Sequence, residues 1–221
     1  MNFALIPVKA LAWGKSRLSP LLSATARQAL SRAMLTDVLT NALRSSAVDH
    51  VVVVSSDSSL LSLARQLGAL AVDEEYPRGL NGAVNVGTEF CLRQNATCLL
   101  VLLADLPLVT TADIDALFYQ TKGSPEVMLV PCKEGEGTNA LLRVPPVVIA
   151  PCFGGPSLEA HQQAARRRGI VCRVIEVPHI AFDLDSVEDL QRFAAEATDT
   201  QTYRVLREMS VCTRPTPKER Q

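Results

Sequence analysis

The alternation of short β-branched strands with longer amphipathic helices is the feature that most limits how this chain can fold. The valine run in Val51–Ser55 is apolar at consecutive positions, which is typical of a strand covered on both faces. The segment Cys98–Leu103 has the same character, and helical patterns separate the strands. This alternation predicts a three-layer α/β fold with a mostly parallel central sheet and helices on both faces. Ligands of such sheets bind at the carboxyl ends of the strands, near a switch in strand order.

The pattern places the predicted elements as follows. We expect strands at Phe3–Val8, Val51–Ser55, Leu70–Val72, Cys98–Leu103, Val127–Val130, Ala140–Val144 and Val171–Val177. We expect helices at Ser23–Ser45, Ser58–Leu67, Asn81–Arg93, Thr111–Gln120 and Ser157–Arg168, and a last helix that begins near Ser186. Residues 1–196 are expected to form a single domain, and residues 197–221 a polar extension that frays at its end.

Composition excludes several classes of protein. The chain has 221 residues, with 22 Lys and Arg against 23 Asp and Glu, and this balance argues against general nucleic-acid binding. The longest strongly apolar stretch, residues 98–104, is far short of the roughly 20 residues that a membrane helix needs. The six cysteines show no CxxC pair and are expected to be small buried residues in a reducing compartment. We therefore predict a cytoplasmic protein that binds neither membranes nor nucleic acid.

Three cations follow the first predicted strand within nine residues: Lys9, Lys15 and Arg17. At that position they could neutralise a triphosphate and the charge that develops on a leaving pyrophosphate, or they could be a solvated basic loop. The triplet Gly14-Lys15-Ser16 resembles the end of a P-loop. However, Lys9 stands where that motif needs its first glycine, and Pro20 would fall inside the helix that a P-loop requires. A P-loop is therefore not expected.

Carboxylates occur at two further positions, one after a predicted strand and one just before the last predicted helix. Asp105 closes an intensely apolar predicted strand, where it could reach a ligand as part of a Mg²⁺ site or serve as a helix cap. Asp183 and Asp185 are two residues apart in an extended segment, so both side chains are expected on one side. They are candidate metal ligands, although ordinary capping of the next helix explains them about as well.

Three loops contain glycines next to short polar side chains. The segment 135–139, with Thr138, could approach a ligand closely or form a plain turn. In 153–157, Gly154 and Ser157 precede a helix whose free amides could bind an anion, while Ser157 could equally be a simple cap. The segment 78–82, with Gly79 and Asn81, could line the base or ribose of a nucleotide or be a capped loop.

Taken in order along the chain, these motifs resemble the 2-phospho-L-lactate / phosphoenolpyruvate guanylyltransferase family of coenzyme F-420 biosynthesis, which is related to the molybdenum-cofactor guanylyltransferases. The resemblance covers about residues 3–192. The motifs that carry it are Ile6-Pro7-Val8-Lys9, Lys15-Ser16-Arg17-Leu18, Gly79-Leu80-Asn81, Asp105-Leu106-Pro107, Gly137-Thr138-Asn139, Phe153-Gly154 with Ser157, and Asp183 with Asp185.

The resemblance implies a Rossmann-like nucleotidyltransferase that joins GTP to phosphoenolpyruvate and releases pyrophosphate. It also implies roles for individual residues. The phospho-acid would be held by Thr138, Gly154 and Ser157; Mg²⁺ by Asp105 with Asp183 or Asp185; and the triphosphate by Lys9, Lys15 and Arg17. A homodimer is expected on the same ground alone.

Two departures from the family pattern are visible. Gly14 stands in place of an alanine, and Pro156 comes one position later than the proline of the family pattern. The shifted proline is expected to alter the shape of the acid pocket. The sequence does not distinguish phosphoenolpyruvate from 2-phospho-L-lactate or 3-phosphoglycerate, which family members also use. A nucleotide-sugar transferase and a GTP-binding regulator without turnover remain as further alternatives.

Overall fold

The computed structural model describes residues 1–11, 15–195 and 199–209. Gly14, which departs from the family pattern, and the polar segment 213–221, which we predicted to fray, lie outside these residues. The boundary that we predicted after residue 196 falls between two of the described ranges, so the division into domain and extension stays a prediction.

Seven strands and eight helices occupy the described residues, together with a short 3₁₀ turn at Ser16–Leu18. The strands are β1 Asn2–Pro7, β2 His50–Ser55, β3 Leu70–Asp73, β4 Cys98–Leu102, β5 Glu126–Pro131, β6 Thr138–Val144 and β7 Val171–Val174. The helices are α1 Ala24–Arg44, α2 Ser58–Leu67, α3 Gly79–Arg93, α4 Thr111–Tyr119, α5 Ser157–Arg167, α6 Pro178–Ala181, α7 Val187–Ala195 and α8 Gln201–Glu208.

The strands form one sheet in the order β3-β2-β1-β4-β6-β5-β7. All neighbouring strands run parallel except β6, which is antiparallel to both β4 and β5. The predicted mostly parallel α/β sheet is therefore confirmed. The chain adds strands on one side of β1 and then moves to its other side with β4, so the switch in strand order lies between these two strands. This is where an open α/β sheet binds its ligands.

Apolar cores lie on both faces of the sheet. Alternation along β1 sends Ala4 and Ile6 to one face, where α1, α2, α4 and α6 pack, and Phe3 and Leu5 to the other, which α3 and α5 cover. Helix α3 approaches β1 so closely that a Cβ atom on Gly87 would lie 2.4 Å from a methyl carbon of Leu5. Glycine is therefore required there, and α3 is held tightly against the strand that leads into the switch point.

The end of the chain differs from the sequence-based prediction. We expected the helix near Ser186 to be the last one, but α8 follows it and packs against α1, with Tyr203 and Leu206 buried. Its amino end is tied to α1, because Asp37 accepts hydrogen bonds from the Gln201 and Thr202 amides at 2.7 and 2.8 Å. Residues 201–208 thus form a helix that contributes Tyr203 and Leu206 to a third apolar cluster.

A second difference concerns the seventh strand. We expected it to reach Val177, but β7 ends at Val174. Val177 instead caps the short helix α6, in which Pro178 occupies the first turn and Ile180 is buried in the core. A proline at the first helical position is favourable, since its fixed φ suits a helix and its missing N–H is not needed.

Candidate active site

A cavity of about 350 Å³ opens at the carboxyl ends of β1 and β4. We call it the charged cavity. Its lining residues are Pro7, Val8, Lys9, Lys15, Arg17, Ser31, Met34, Leu80, Leu103, Ala104, Asp105 and Asp185. All five charged side chains that line it were predicted from sequence as triphosphate or metal ligands: Lys9, Lys15, Arg17, Asp105 and Asp185. The fold therefore collects at its switch point residues that are up to 176 positions apart, from Lys9 to Asp185.

Lys15 pairs with both carboxylates that line this cavity. Its Nζ atom lies 2.8 Å from Oδ2 of Asp105 and 2.5 Å from Oδ1 of Asp185, and its side chain is only 8% exposed. Burial by itself lowers the pKa of Lys15, but the two carboxylate charges and their hydrogen bonds outweigh burial and raise the pKa above its ordinary value. Lys15 is therefore a fully charged ammonium group held between two carboxylates.

The backbone explains why the two carboxylates meet. Asp105 follows β4, and its carbonyl oxygen accepts a hydrogen bond from the Leu184 amide at 3.1 Å, which fixes segment 183–185 beside the end of that strand. Asp189, in the first turn of α7, accepts hydrogen bonds from the amides of Asp185 and Ser186 at 3.1 and 2.8 Å. These bonds hold the Asp185 carboxylate at the mouth of the cavity.

Asp183 has different partners from Asp185. Its carboxylate accepts a hydrogen bond from the Asn139 side chain at 3.3 Å and lies 3.9 Å from Nζ of Lys133. Burial, followed by the nearby negative charge of Asp105, raises the pKa of Asp183 above its ordinary value. A positive charge added between these carboxylates would lower that pKa again, so the site is electrostatically suited to a cation.

The donor set fits a divalent cation that arrives with phosphates. Oδ1 of Asp105 is buried and has no hydrogen-bond partner, so one carboxylate oxygen is left for a ligand. Within the described ranges, no three acidic, histidine or cysteine side chains are already grouped as a metal site. Mg²⁺ is commonly held by one or two carboxylates together with substrate phosphates and water, which is what these residues offer.

Lys9 and Arg17 line the same cavity and are exposed to solvent. Arg17 lies in the 3₁₀ turn that follows Lys15, and Lys9 lies two residues beyond the end of β1. Among the described residues, neither side chain forms an ion pair with an acidic group. Both cations are therefore available to an anionic ligand, whereas Lys15 is already paired.

The loop residues Thr138 and Ser157 are brought together from distant parts of the chain. Thr138 begins β6, and because β6 is antiparallel, its start lies at the same edge of the sheet as the end of β4. The hydroxyl of Thr138 lies 3.1 Å from Nδ1 of His161, which is one turn into α5 from Ser157. The Leu158 amide also donates to the carbonyl oxygen of Glu136 at 3.0 Å, so the loop before β6 is fastened to the start of α5.

His161 was not predicted as a site residue, yet it organises this loop. Its Nε2 atom accepts a hydrogen bond from the Cys152 amide at 2.8 Å, so Nδ1 carries the proton and donates to the Thr138 hydroxyl. Burial lowers the pKa of His161 to about 4. The imidazole is therefore neutral at pH 7 and fixes the orientation of the Thr138 hydroxyl.

Gly154 lies in a segment with a left-handed backbone. Its φ angle is +101°, and that of Gly155 is +54°, conformations that favour glycine. The preceding residue, Phe153, is held by a reciprocal pair of hydrogen bonds: the Asn81 side chain donates to its carbonyl oxygen at 2.9 Å and accepts from its amide at 2.8 Å. Asn81, which we predicted to bind nucleotide, thus joins α3 to the loop before α5.

A second cavity of about 460 Å³ adjoins the first and shares Pro7, Val8, Lys9 and Leu80 with it. We call it the apolar cavity. Its remaining lining residues are Ala10, Ser56, Glu74, Pro77, Gly79 and Ala83. Gly79, predicted as a nucleotide-binding residue, begins α3 with a φ angle of +71° and lies in this wall. The two cavities together offer a charged compartment and an apolar compartment on either side of β1's end.

Sequence reasoning missed Lys133 as well as His161. Lys133 donates to the backbone oxygen of Asp183 at 2.9 Å and pairs with Asp189 at 2.6 Å, so it supports the segment that carries the carboxylates. A single lysine in a polar loop carries no signal of such a role. His161 did carry one, because it lies four positions after Ser157 and therefore on the same helix face.

Comparison with known proteins supports the fold and identifies the family. Among solved structures, a Desulfovibrio desulfuricans protein described as a nucleotide-diphospho-sugar transferase superposes with a TM-score of 0.73 at 15% identity, covering 96% of both chains. At that identity the likeness establishes the fold alone. The class of protein is thus an α/β protein of nucleotidyltransferase-like fold with cations and carboxylates at its switch point.

The chain belongs to the guanylyl transferase CofC-like family, whose model matches residues 2–221. It is 44% identical to phosphoenolpyruvate guanylyltransferase of Rubrobacter xylanophilus over 193 residues, 87% of this chain and 93% of the relative. It is 32% identical to 2-phospho-L-lactate guanylyltransferase of Methanothermobacter thermautotrophicus over 96% of this chain and 92% of the relative. A 3-phospho-D-glycerate guanylyltransferase of Colwellia psychrerythraea is 34% identical over 86% of this chain and 89% of the relative. The resemblance identified from motifs is therefore confirmed at the level of the family.

No helix in the described part of the chain is both long and apolar enough to cross a membrane.

Proposed function

We propose that this protein is a guanylyltransferase that joins GTP to phosphoenolpyruvate, yielding enolpyruvyl-diphospho-guanosine and pyrophosphate, in coenzyme F-420 biosynthesis. The observation that carries the proposal is the buried Lys15 ammonium group between Asp105 and Asp185, at the sheet's switch point. That arrangement suits a triphosphate and its metal, and phosphoenolpyruvate is the acid in the name of the relative at 44% identity.

The proposed reaction needs no covalent intermediate with the enzyme. A phosphate oxygen of the acid attacks the α-phosphorus of GTP, and the bond from that phosphorus to the pyrophosphate oxygen breaks. Lys9, Lys15 and Arg17 neutralise the triphosphate and the negative charge that grows on the departing pyrophosphate. Catalysis then consists of positioning and charge neutralisation, which accounts for a site built from cations and carboxylates.

Asp105, together with Asp183 or Asp185, is proposed to hold Mg²⁺. The unpartnered Oδ1 atom of Asp105 supports this assignment. When bound, Mg²⁺ withdraws negative charge from the phosphate oxygens and so assists both attack and departure. Lys15 would exchange its carboxylate partners for phosphate oxygens when metal and nucleotide enter together.

The phospho-acid is proposed to bind at Thr138, Gly154 and Ser157. The helix dipole at the start of α5 favours the negative groups of the acid, although the Ser157 and Leu158 amides already donate to the Gly155 and Glu136 carbonyl oxygens. His161 presents the Thr138 hydroxyl in one orientation. GTP is proposed to extend from the charged cavity toward Gly79 in the adjoining apolar cavity. The side-chain amide of Asn81 is already bonded to the backbone of Phe153. In keeping with the family resemblance, we further propose that the protein is cytoplasmic and forms a homodimer.

The same reaction on 2-phospho-L-lactate or 3-phosphoglycerate is the second candidate, because relatives named for these acids share the family. The acids differ by a double bond or a hydroxymethyl group. A pocket distinguishes one methylene group by only about 1–3 kcal/mol, so mixed use of the acids is chemically reasonable.

The test is pyrophosphate release in the presence of GTP and Mg²⁺, with each of the three acids offered separately and a control without acid. Release that depends on phosphoenolpyruvate supports the proposal, and release with another acid alone would reassign the substrate. Binding of GTP without release in any reaction would indicate a regulator. Activity with a nucleotide sugar, and none with GTP plus a phospho-acid, would indicate a sugar-transferring relative.

The role of Asp105 is tested in the same assay. We expect Asp105→Asn to lower turnover at least about a hundredfold and to shift the Mg²⁺ dependence to higher concentration, because the amide removes a negative metal ligand. Asp113→Asn, a change of the same type in a carboxylate that caps α4, is the matched control and should leave turnover close to that of the wild type. Near-normal turnover of Asp105→Asn would remove Asp105 from the metal site.

A further inference from the structure

The apolar cavity contains one acidic side chain, and nothing in the proposed transfer chemistry uses it. Glu74 follows β3 and is tied to β2, since its amide donates to the Ser55 carbonyl oxygen at 3.2 Å. The residue is only 6% exposed and lies in the cavity wall with Leu80, Pro77 and Val8. Of the described residues that line this cavity, Glu74 is the only acid and Lys9 the only base.

One oxygen of the Glu74 carboxylate lacks a partner. Oε2 is buried and makes no hydrogen bond, while the Arg78 amide donates to the carboxylate. A buried acceptor without a donor costs free energy, and such a group in a native cavity is commonly completed by a ligand or water. The last torsion of a glutamate side chain is soft, so turning an oxygen toward a bound molecule requires little rearrangement.

The walls restrict what that molecule can be. Pro7, Val8, Pro77, Leu80 and Ala83 offer flat apolar contact, which suits an aromatic ring, and a single carboxylate requires N–H or O–H donors on the edge of that ring. The apolar cavity also shares four lining residues with the charged cavity, so one molecule can place its phosphates in the first and its ring in the second.

We propose that Glu74 is the residue that selects guanine, by accepting hydrogen bonds from N1–H and the 2-amino group of the base. This inference rests on the proposed function, since it assigns the base of the nucleotide whose phosphates enter the charged cavity. Guanine is the common purine with two adjacent donors on that edge. Adenine presents an unprotonated N1 and a C–H group there, which would leave the carboxylate unpaired against a lone pair.

The inference is tested by direct binding, without acid and without turnover. Dissociation constants for GTP, ITP and ATP are measured by calorimetry with Mg²⁺ for the wild type, Glu74→Gln and Glu75→Gln. ITP keeps N1–H and lacks the 2-amino group, so it isolates one of the two hydrogen bonds. Glu75 is the matched control, because it is the neighbouring glutamate, is exposed and is absent from the cavity wall.

We expect the wild type to bind GTP more tightly than ITP, and ITP more tightly than ATP. The Glu74→Gln variant should bind GTP at least about tenfold more weakly than the wild type, and its affinity for ITP should fall by a smaller factor. Its affinity for ATP should not fall, because a glutamine amide can donate to adenine N1. Glu75→Gln should match the wild type. The urea midpoint of each variant confirms that it is folded.

Two outcomes separate the inference from the function on which it rests. If the wild type prefers GTP but Glu74→Gln keeps the same ratio of GTP to ATP affinity, or loses both nucleotides equally, Glu74 does not read the base and the proposed function stands. If the wild type shows no preference for GTP over ATP, both the guanylyltransferase proposal and the role of Glu74 fail.

Discussion

Lys15 combines a buried charge with an unusual backbone. Its φ angle is +54°, a left-handed conformation that costs a residue with a side chain about 1–2 kcal/mol. That conformation is kept while the ammonium group lies between two carboxylates and is nearly inaccessible. Strain of this kind persists where the surrounding structure requires it, which is common at functional sites. We interpret Lys15 as an internal cation that occupies the carboxylates until metal and nucleotide replace it.

This interpretation makes a prediction about metal binding in the absence of nucleotide. Replacing Lys15 by methionine leaves Asp105 and Asp185 without their shared positive charge, so a divalent cation should bind at least about tenfold more tightly than in the wild type. Binding of Mn²⁺ can be followed by electron paramagnetic resonance. Lys9→Met, which alters a cation of the same cavity that has no ion pair among the described residues, should leave the affinity unchanged. If Lys15→Met binds Mn²⁺ no more tightly than the wild type, Lys15 does not compete with the metal.

Two helices show how elements depend on partners that are distant in sequence. Helix α8 contains Tyr203 and Leu206 at a helical spacing, yet it is too short to be stable alone and depends on contact with α1. Helix α5 orders the loop before β6 through His161, whose two ring nitrogens are both used. In both cases a single side chain, Asp37 or His161, fixes one element against another.

The buried imidazole makes the stability of the fold depend on pH. With a pKa of about 4 in the folded protein and about 6.5 in the unfolded chain, His161 takes up a proton on unfolding at intermediate pH. The contribution of His161 to the free energy of unfolding is therefore fully present above pH 6.5 and decreases as the pH falls toward 4. At pH 4.5 the loss should be about 2 to 3 kcal/mol.

Urea unfolding at pH 7 and pH 4.5 measures this loss. His161→Gln cannot be protonated, whereas the carboxylates contribute equally in both proteins. The wild type should therefore lose about 2 to 3 kcal/mol more than the variant between the two pH values. Equal losses would mean that His161 is already protonated, or exposed, in the folded protein.

At the level of the whole molecule, two cavities and one loop from different parts of the sheet lie close together at the switch point. The charged cavity lies between β1 and β4, the apolar cavity lies beside α3, and the loop proposed to hold the acid lies before α5. Asn81 is a direct link between the last two, because both ends of its amide bond the backbone of Phe153. Nucleotide and acid would then be aligned by the rigid packing of α3 rather than by a mobile loop.

This link predicts which substrate Asn81 serves. Since its amide is already bonded to Phe153, Asn81→Ala should raise the KM for the acid about tenfold and that for GTP by much less, through loss of about 1.4 kcal/mol of loop positioning. Steady-state kinetics with each substrate varied in turn gives the two values. Gln94→Ala, at the exposed far end of the same helix, is the control. A rise in the KM for GTP alone would instead support direct nucleotide binding by Asn81, as the motif by itself predicts.

The sequence by itself determined the sheet class, most element bounds and the family. Continuous apolar runs, helical periodicity and a glycine such as Gly68 at the end of a helix are local signals, and local chemistry is sufficient to read them. The candidate cations and carboxylates were also visible, since their position after strands already placed them at one edge of the sheet. Only the tertiary structure decided which of them meet.

Contacts between segments up to 170 residues apart decide several features of the site and fold. These are the pairing of Lys15 with both Asp105 and Asp185, the separate environment of Asp183, the packing of α8 and the position of Glu74. Such contacts depend on where the backbone carries each side chain in space, and no pattern in the neighbouring residues records that. For the same reason Lys133 was found only in the folded chain. The spacing of His161 from Ser157 was a sequence signal, but only burial and a specific partner in the folded chain give His161 its role.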